Sequence, residues 1–252
     1  MTLITNEIYM LDGFRQTLIV FAADQRISKP DGTFIKGKKL FRIPYLEGCV
    51  SYFGLAEVFP ANRRQYLFDW LPKFITSNAG LTTLRAFAYA LRDELNRIVP
   101  ANMLKRNASG FHICGYNERG LPEFWYLSNI GGMDAFAYKN LSQRYGDPSP
   151  DFLDRDAKKL GWDGSDLRSI RNEGWIYRNG DVRVHAVLAD RLDTTLKEMS
   201  AFPDFRVPKS PDDLRRWVQF KFEVISYFYE KFARKAIIGK PIDVLTMVKK
   251  LP

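Results

Sequence analysis

Only two cysteines and two histidines occur among the 252 residues, and their scarcity excludes several chemistries. Cys49 and Cys114 both lie in apolar runs, "GCVSYF" and "FHICGY", which predicts buried, reduced thiols of a cytoplasmic protein rather than a disulfide framework. His112 and His185 are far apart, and no CxxC, HExxH or acidic calcium loop is present, so a metal centre is not expected. No apolar run approaches the roughly 18 residues of a membrane span. The opening "MTLITNEIYM" lacks the basic and apolar regions of a secretory signal, and none is expected.

What is present is an excess of positive charge, +9, with an ordinary apolar share of 46%. The basic residues are dispersed in pairs such as Lys38/Lys39, Arg63/Arg64 and Arg215/Arg216. Dispersed charge is what a solvated basic surface gives, and it supports nucleic acid or an acidic partner only weakly.

The apolar period sets the elements. Residues 2 to 10 and 16 to 23 read as strands joined about Asp12-Gly13, a hairpin signal. Two short strands follow near 39–43 and 48–53. "NRRQYLFDWL" reads as a helix that Pro72 should end or kink. A second helix places Leu81, Leu84, Phe87, Leu91, Leu95 and Ile98 on one face, with Pro100 beyond its end. "GFHICGYN" and "PEFWYLSN" read as a strand pair. The Asp-, Gly- and Pro-rich stretch 130–173 reads as loops and short helices. "GWIYRNGDVRVHAVL" reads as a hairpin about Asn179-Gly180, and "RLDTTLKEM" as a short helix. Ser210 with Pro211, Asp212 and Asp213 forms an N-cap signature for a long helix from 211 to about 235. Its stripe of Trp217, Phe222, Ile225, Phe228, Tyr229 and Phe232 reads as core or subunit interface. With Phe220 and Tyr227 the helix carries more aromatic surface than one narrow face can bury, which predicts a homo-oligomer. "PIDVLTMV" closes the chain as a strand. Blocks of strand and helix in segregation predict an α+β fold, and the length fits one domain over 1–252 with the long helix and closing strand at 211–248.

One strand poses a question. "LIVFAADQRI", residues 18 to 27, runs through apolar side chains and stops at Asp24. Either the chain reaches water there, or the strand carries a buried charge to a site. Upstream, Thr2 follows Met1, and threonine is small enough for an aminopeptidase to remove the methionine. A terminal threonine would offer a nucleophilic hydroxyl and an α-amine of unperturbed pKa about 8, able to act as its general base. Such a site needs a cation, an anion to hold that cation, and an N–H facing the oxyanion. Lys39, Asp24 and Gly54 are candidates for the three.

These residues resemble the proteasome β-subunit group of N-terminal-nucleophile hydrolases. The likeness lies in Thr2, in "FAADQR", in "KKLFRI" and in "SYFGLA"; "GFHICGYNERGLPEFWYLSN" is similar to that family's later strand pair, and "IGKPIDVLTM" to the closing strand of some members. It covers the first ~60 residues best, then 110–129. The resemblance implies a four-layer αββα sandwich and a threonine-type peptidase or amidase that uses no cofactor. Thr2 would be nucleophile and base, Asp24 would pair with Lys39, and Gly54 would supply the oxyanion N–H. Tyr52 and Ser28 would contact the substrate, and Arg26 would support the pair. For the family's aspartate near the late strands the candidates are Asn179 or Asp181. Ser128 to Gly132 is the nearest piece to its serine-glycine loop. A peptide or protein substrate and a homo-oligomer, with a ring as one form of it, are implied; no particular ATPase partner is. A catalytically silent scaffold subunit of the same fold is the alternative, and a nucleic-acid or acidic-partner binding protein a more distant one.

Overall fold

The computed structural model describes residues 2–12, 15–29, 31–133, 137–150, 175–181 and 183–250. It combines helices with two four-stranded antiparallel sheets. In the first sheet, β1 (Leu3–Leu11) and β2 (Gln16–Asp24) form a hairpin in which Ile4 faces Ala23 and Leu11 faces Gln16. In the second, β5 (Leu40–Ile43) and β6 (Gly48–Phe53) pair, and β6 pairs in turn with β9 (Gly110–Tyr116), which pairs with β10 (Pro122–Ser128). Between them in sequence lie the short pairs β3 (Arg26–Ser28) with β4 (Phe34–Lys36) and β7 (Glu57–Val58) with β8 (Gln65–Tyr66). The first sheet is completed by β13 (Trp175–Gly180) beside β1 and β14 (Ile242–Lys250) beside β2.

Alternation along the strands decides what each face meets. On β1 and β2 the residues Ile4, Ile8, Ile19, Phe21 and Ala23 join Leu40, Cys49, Phe53, Cys114 and Phe124 of the second sheet in one apolar cluster. The opposite face, Leu3, Leu18, Val20 and Ala22, meets helical residues instead. A strand covered on both sides reads as an unbroken apolar run, which is why "LIVFAA" shows no alternation. The second sheet turns Val50, Tyr52, Phe111 and Ile113 toward α1 (Leu67–Ser77) and α2 (Leu84–Ile98). Thr83 caps α2 by accepting the Ala86 N–H at 3.0 Å. A short α3 (Ala101–Leu104) leads into β9.

Over the first sheet lie α4 (Asp190–Met199) and α5 (Pro211–Phe232). Ser210 and Asp213 form a reciprocal capping box at the start of α5. Its Leu214, Val218, Phe222, Ile225 and Tyr229 enter the core. Lys221 also turns inward, and its ammonium meets Glu7 at 2.8 Å and Asp193 at 2.7 Å.

Four expectations are corrected. Pro72 does not end its helix: it lies inside α1, which begins at Leu67, after the short strand Gln65–Tyr66 rather than at residue 62, and continues to Ser77. Burial of Leu67, Trp70, Leu71, Phe74 and Ile75 outweighs the one hydrogen bond that proline forgoes. Residues 130–150 contain a strand pair, β11 (Ile130–Met133) with β12 (Tyr138–Leu141), instead of loops and short helices; 151–173 lie outside the described residues. The long helix ends at Phe232, not near 235. Asn179-Gly180 is not a hairpin turn. Trp175–Gly180 is one strand, and after it the chain winds into helix, with a π-helical stretch Val184–Ala189 before α4. The Asp181 carboxylate accepts the Arg183 N–H at 3.0 Å, and its carbonyl accepts the Val184 N–H. That local capping starts a helix where the V-R-V-H alternation predicted a strand.

Candidate active site

Asp24 ends β2 inside the protein. Its side chain is 0% exposed, and Lys39, just before β5, is 1% exposed. The Lys39 ammonium stands 3.2 Å from both carboxylate oxygens of Asp24 and donates to the Arg26 carbonyl at 2.5 Å. The carboxylate also accepts two backbone N–H groups, from Leu3 at 2.8 Å and from Arg26 at 3.1 Å. The first of these matters most for the site, because Leu3 follows Thr2 directly. One carboxylate thus links the start of β1 to the lysine. Burial pushes the Asp24 carboxyl above its ordinary value and the Lys39 amine below its own; the attraction between the two opposes both shifts.

Thr2 is 5% exposed. Its carbonyl accepts the Asp181 N–H at 3.0 Å, so the peptide bond after Thr2 is gripped at both ends, by Asp181 at the carbonyl and by Asp24 at the Leu3 N–H. Gly180 makes that grip possible. It has φ of +123°, and a Cβ there would lie 1.6 Å from the Thr2 carbonyl oxygen. Only a glycine admits so close an approach.

Gly54 follows β6 with φ of +83°, and a Cβ on it would lie 1.9 Å from the Ala108 carbonyl. The turn therefore depends on glycine for conformation and for space alike. Tyr52 is 1% exposed, packs against Phe111 beneath the helices α1 and α2, and donates its hydroxyl to the Lys38 carbonyl at 3.1 Å. Its side chain belongs to the core at this point. Ser28 has its hydroxyl buried without a hydrogen-bond partner among the described residues, and no described contact joins it to Thr2, Asp24 or Lys39. Arg26 supports the ion pair through its backbone N–H and carbonyl, while its guanidinium lies over the Phe34 ring at 3.8 Å.

Of Asn179 and Asp181, Asp181 is the one joined to Thr2 by a described hydrogen bond. Asp181 reaches it by its backbone; its carboxylate is turned to Arg183 at 2.7 Å and to the Tyr229 hydroxyl at 2.8 Å. Burial raises the Asp181 carboxyl, but the hydrogen bonds and charge of these two outweigh it and hold the pKa below the ordinary range. Asn179 is held by the Tyr138 hydroxyl at 3.2 Å and stands 2.7 Å from His112 Nε2. Tyr138, His112, Gly180 and Tyr229 were not among the residues expected from sequence. Only Gly180 left a signal there, as the second half of the Asn-Gly pair.

No family model matches the chain, and no curated protein does. Among solved structures, a Gly-1 mutant of Anbu from Hyphomicrobium sp. strain MC1 aligns with 100% of this chain and 88% of its own, at 13% identity and a TM-score of 0.46. A likeness this loose carries no argument about activity.

Proposed function

We propose that the chain hydrolyses amide or peptide bonds with Thr2 as an N-terminal nucleophile exposed by removal of Met1. The observation that carries this reading is the Asp24 carboxylate, fully buried and shared between the Leu3 N–H and the Lys39 ammonium. A buried ion pair is costly and adds little stability for its own sake. Its placement one residue from a potential terminal nucleophile gives it a chemical use.

In this reading the Thr2 α-amine takes the hydroxyl proton and Oγ attacks the substrate carbonyl. The Gly54 N–H faces the oxyanion. Lys39 supplies positive charge beside the nucleophile, and Asp24 holds Lys39. Collapse expels the amine, which leaves with the proton, and water then hydrolyses the threonine ester. No cofactor enters these steps. Ser28 is proposed to line the approach of the substrate, and Arg26, Asn179 and Asp181 to hold the site in register; Tyr52, expected beside the substrate, is instead taken up by the core under α1 and α2.

The same reading takes the chain as one domain over 1–252. The three apolar clusters, helix against sheet, sheet against sheet and sheet against helix, support a four-layer αββα sandwich. Phe220, Tyr227, Phe228 and Phe232 stand 44–70% exposed on α5, which supports a homo-oligomer with this helix at a subunit contact. The near-complete burial of Thr2 favours a second reading, a catalytically silent scaffold subunit. Intact-mass measurement of the native protein before and after treatment with a fluorescent β-lactone separates the two. Loss of Met1 with one probe added per chain supports the hydrolase; retained Met1 with no probe supports the scaffold.

A further inference from the structure

A directed line of hydrogen bonds runs behind Thr2. The Gly180 N–H donates to the Tyr138 hydroxyl at 3.0 Å, and that hydroxyl donates to Asn179 Oδ1 at 3.2 Å. With Oδ1 so engaged, the Asn179 amide presents Nδ2 to His112 Nε2 at 2.7 Å, which accepts. His112 is fully buried between the sheets, edge-on to Phe124 and Tyr126. Each polarity in the line follows from the one before it.

Tyr138 stands at a junction. Its hydroxyl fixes the strand end whose next residue, Asp181, holds the Thr2 carbonyl, and Gly180 itself abuts that carbonyl. Its ring packs against Phe53 at 5.7 Å, and Phe53 directly precedes Gly54. One side chain from the β11–β12 hairpin, outside both main sheets, therefore touches the end of β13, which seats Thr2, and Phe53, which leads into the Gly54 turn. Burial raises the Tyr138 phenol to about 12, so it stays protonated and able to donate at working pH.

We infer that Tyr138 is a positioning residue of the Thr2 reaction, setting the nucleophile against the Gly54 turn through Gly180 and Asn179. This rests on the hydrolase reading above. The hydroxyl does not touch the reacting atoms. It sets the β13 end that holds Thr2 against the strand that leads to Gly54, and a displacement on the order of 1 Å between the reacting groups so held costs up to about a hundredfold in rate.

The test is acylation of Thr2 by a fluorescent β-lactone. Oγ attacks the lactone carbonyl, the ring C–O bond breaks, and the proton passes by the α-amine to the released alkoxide. Tyr138→Phe keeps the ring on Phe53 and removes the hydroxyl alone. The expected result is a maximal labelling rate lower by roughly tenfold or more, with half-saturating probe concentration unchanged and the folded circular-dichroism spectrum retained. Labelling at the wild-type rate overturns the inference. No labelling of the wild type overturns the hydrolase reading and the inference with it, whereas labelled wild type with unaffected Tyr138→Phe overturns the inference alone. Should Tyr138→Phe fail to fold, a fluorinated tyrosine at the same position keeps the shape and makes the phenol more acidic. The labelling-rate profile should then lose activity at a lower pH than the wild type, as the donor to Asn179 is titrated away. A profile unchanged from wild type overturns the inference. A tyrosine that serves only stability would shift the melting temperature and leave this profile where it was.

Discussion

Lys39→Met removes the charge opposite Asp24 while nearly conserving volume. It leaves a carboxylate of 0% exposure with the Leu3 and Arg26 N–H groups and no cation. Loss of one partner from a buried pair costs about 3–5 kcal/mol. The two remaining donors place this case toward the lower end, near 3 kcal/mol, which corresponds to a fall in melting temperature of roughly 10 °C for a chain of this size. The pH dependence has a definite sign. Burial already raises the Asp24 carboxyl, and the Lys39 charge is the largest influence holding it down. Without that charge the folded-state pKa rises further above the unfolded value. The folded variant then binds a proton more readily than the unfolded chain, so the penalty is largest above the folded pKa and shrinks as pH falls through it. Urea unfolding of wild type and Lys39→Met from about pH 8 down to about pH 5 should show the gap between them closing, and Asp24→Asn in the Lys39→Met background should recover much of the loss. A gap below about 1 kcal/mol, or one that does not change with pH, would refute the argument that the pair is a desolvated, mutually dependent unit.

Gly180→Ala should destabilise by more than about 2 kcal/mol, since it combines a left-handed φ with a Cβ placed 1.6 Å from the Thr2 carbonyl oxygen; a stability within about 0.5 kcal/mol of wild type by chemical denaturation would contradict the close approach. Replacing Phe228 and Phe232 with glutamate should leave the fold intact and dissociate an assembly held through α5, and light scattering reads this directly. A wild type that runs as a 29.2 kDa monomer at micromolar concentration would contradict the assembly.

The sequence showed β1 and β2 clearly because both faces of each are covered, and the helix α5 because its start carries a complete capping box. Asp24 and Lys39 were legible by their order along the chain, and burial answers the question the "LIVFAADQRI" strand raised: the charge is kept from water. Arg26 was legible as a position but not as a mechanism, since its backbone and not its guanidinium meets the pair. The rest of the support lay beyond a local reading. The Asn-Gly pair signals a positive φ at Gly180, and the structure uses that φ to seat a strand end on Thr2 instead of turning a hairpin. Tyr138 sits in a stretch without clear periodicity, and its partners are 41 and 42 residues away, where no spacing rule connects them. The "DVRVHAVL" alternation pointed to a strand because nothing in its apolar period reports that Asp181 caps the turn that follows it.

The central claim is that Thr2 is a terminal nucleophile, and intact-mass spectrometry of the native protein with a β-lactone tests it most directly. The account predicts a chain lacking Met1 that gains one probe mass, with the gain abolished by Thr2→Ala at unchanged folding. A chain that keeps Met1, or a probe that labels Thr2→Ala as fast as the wild type, would contradict it.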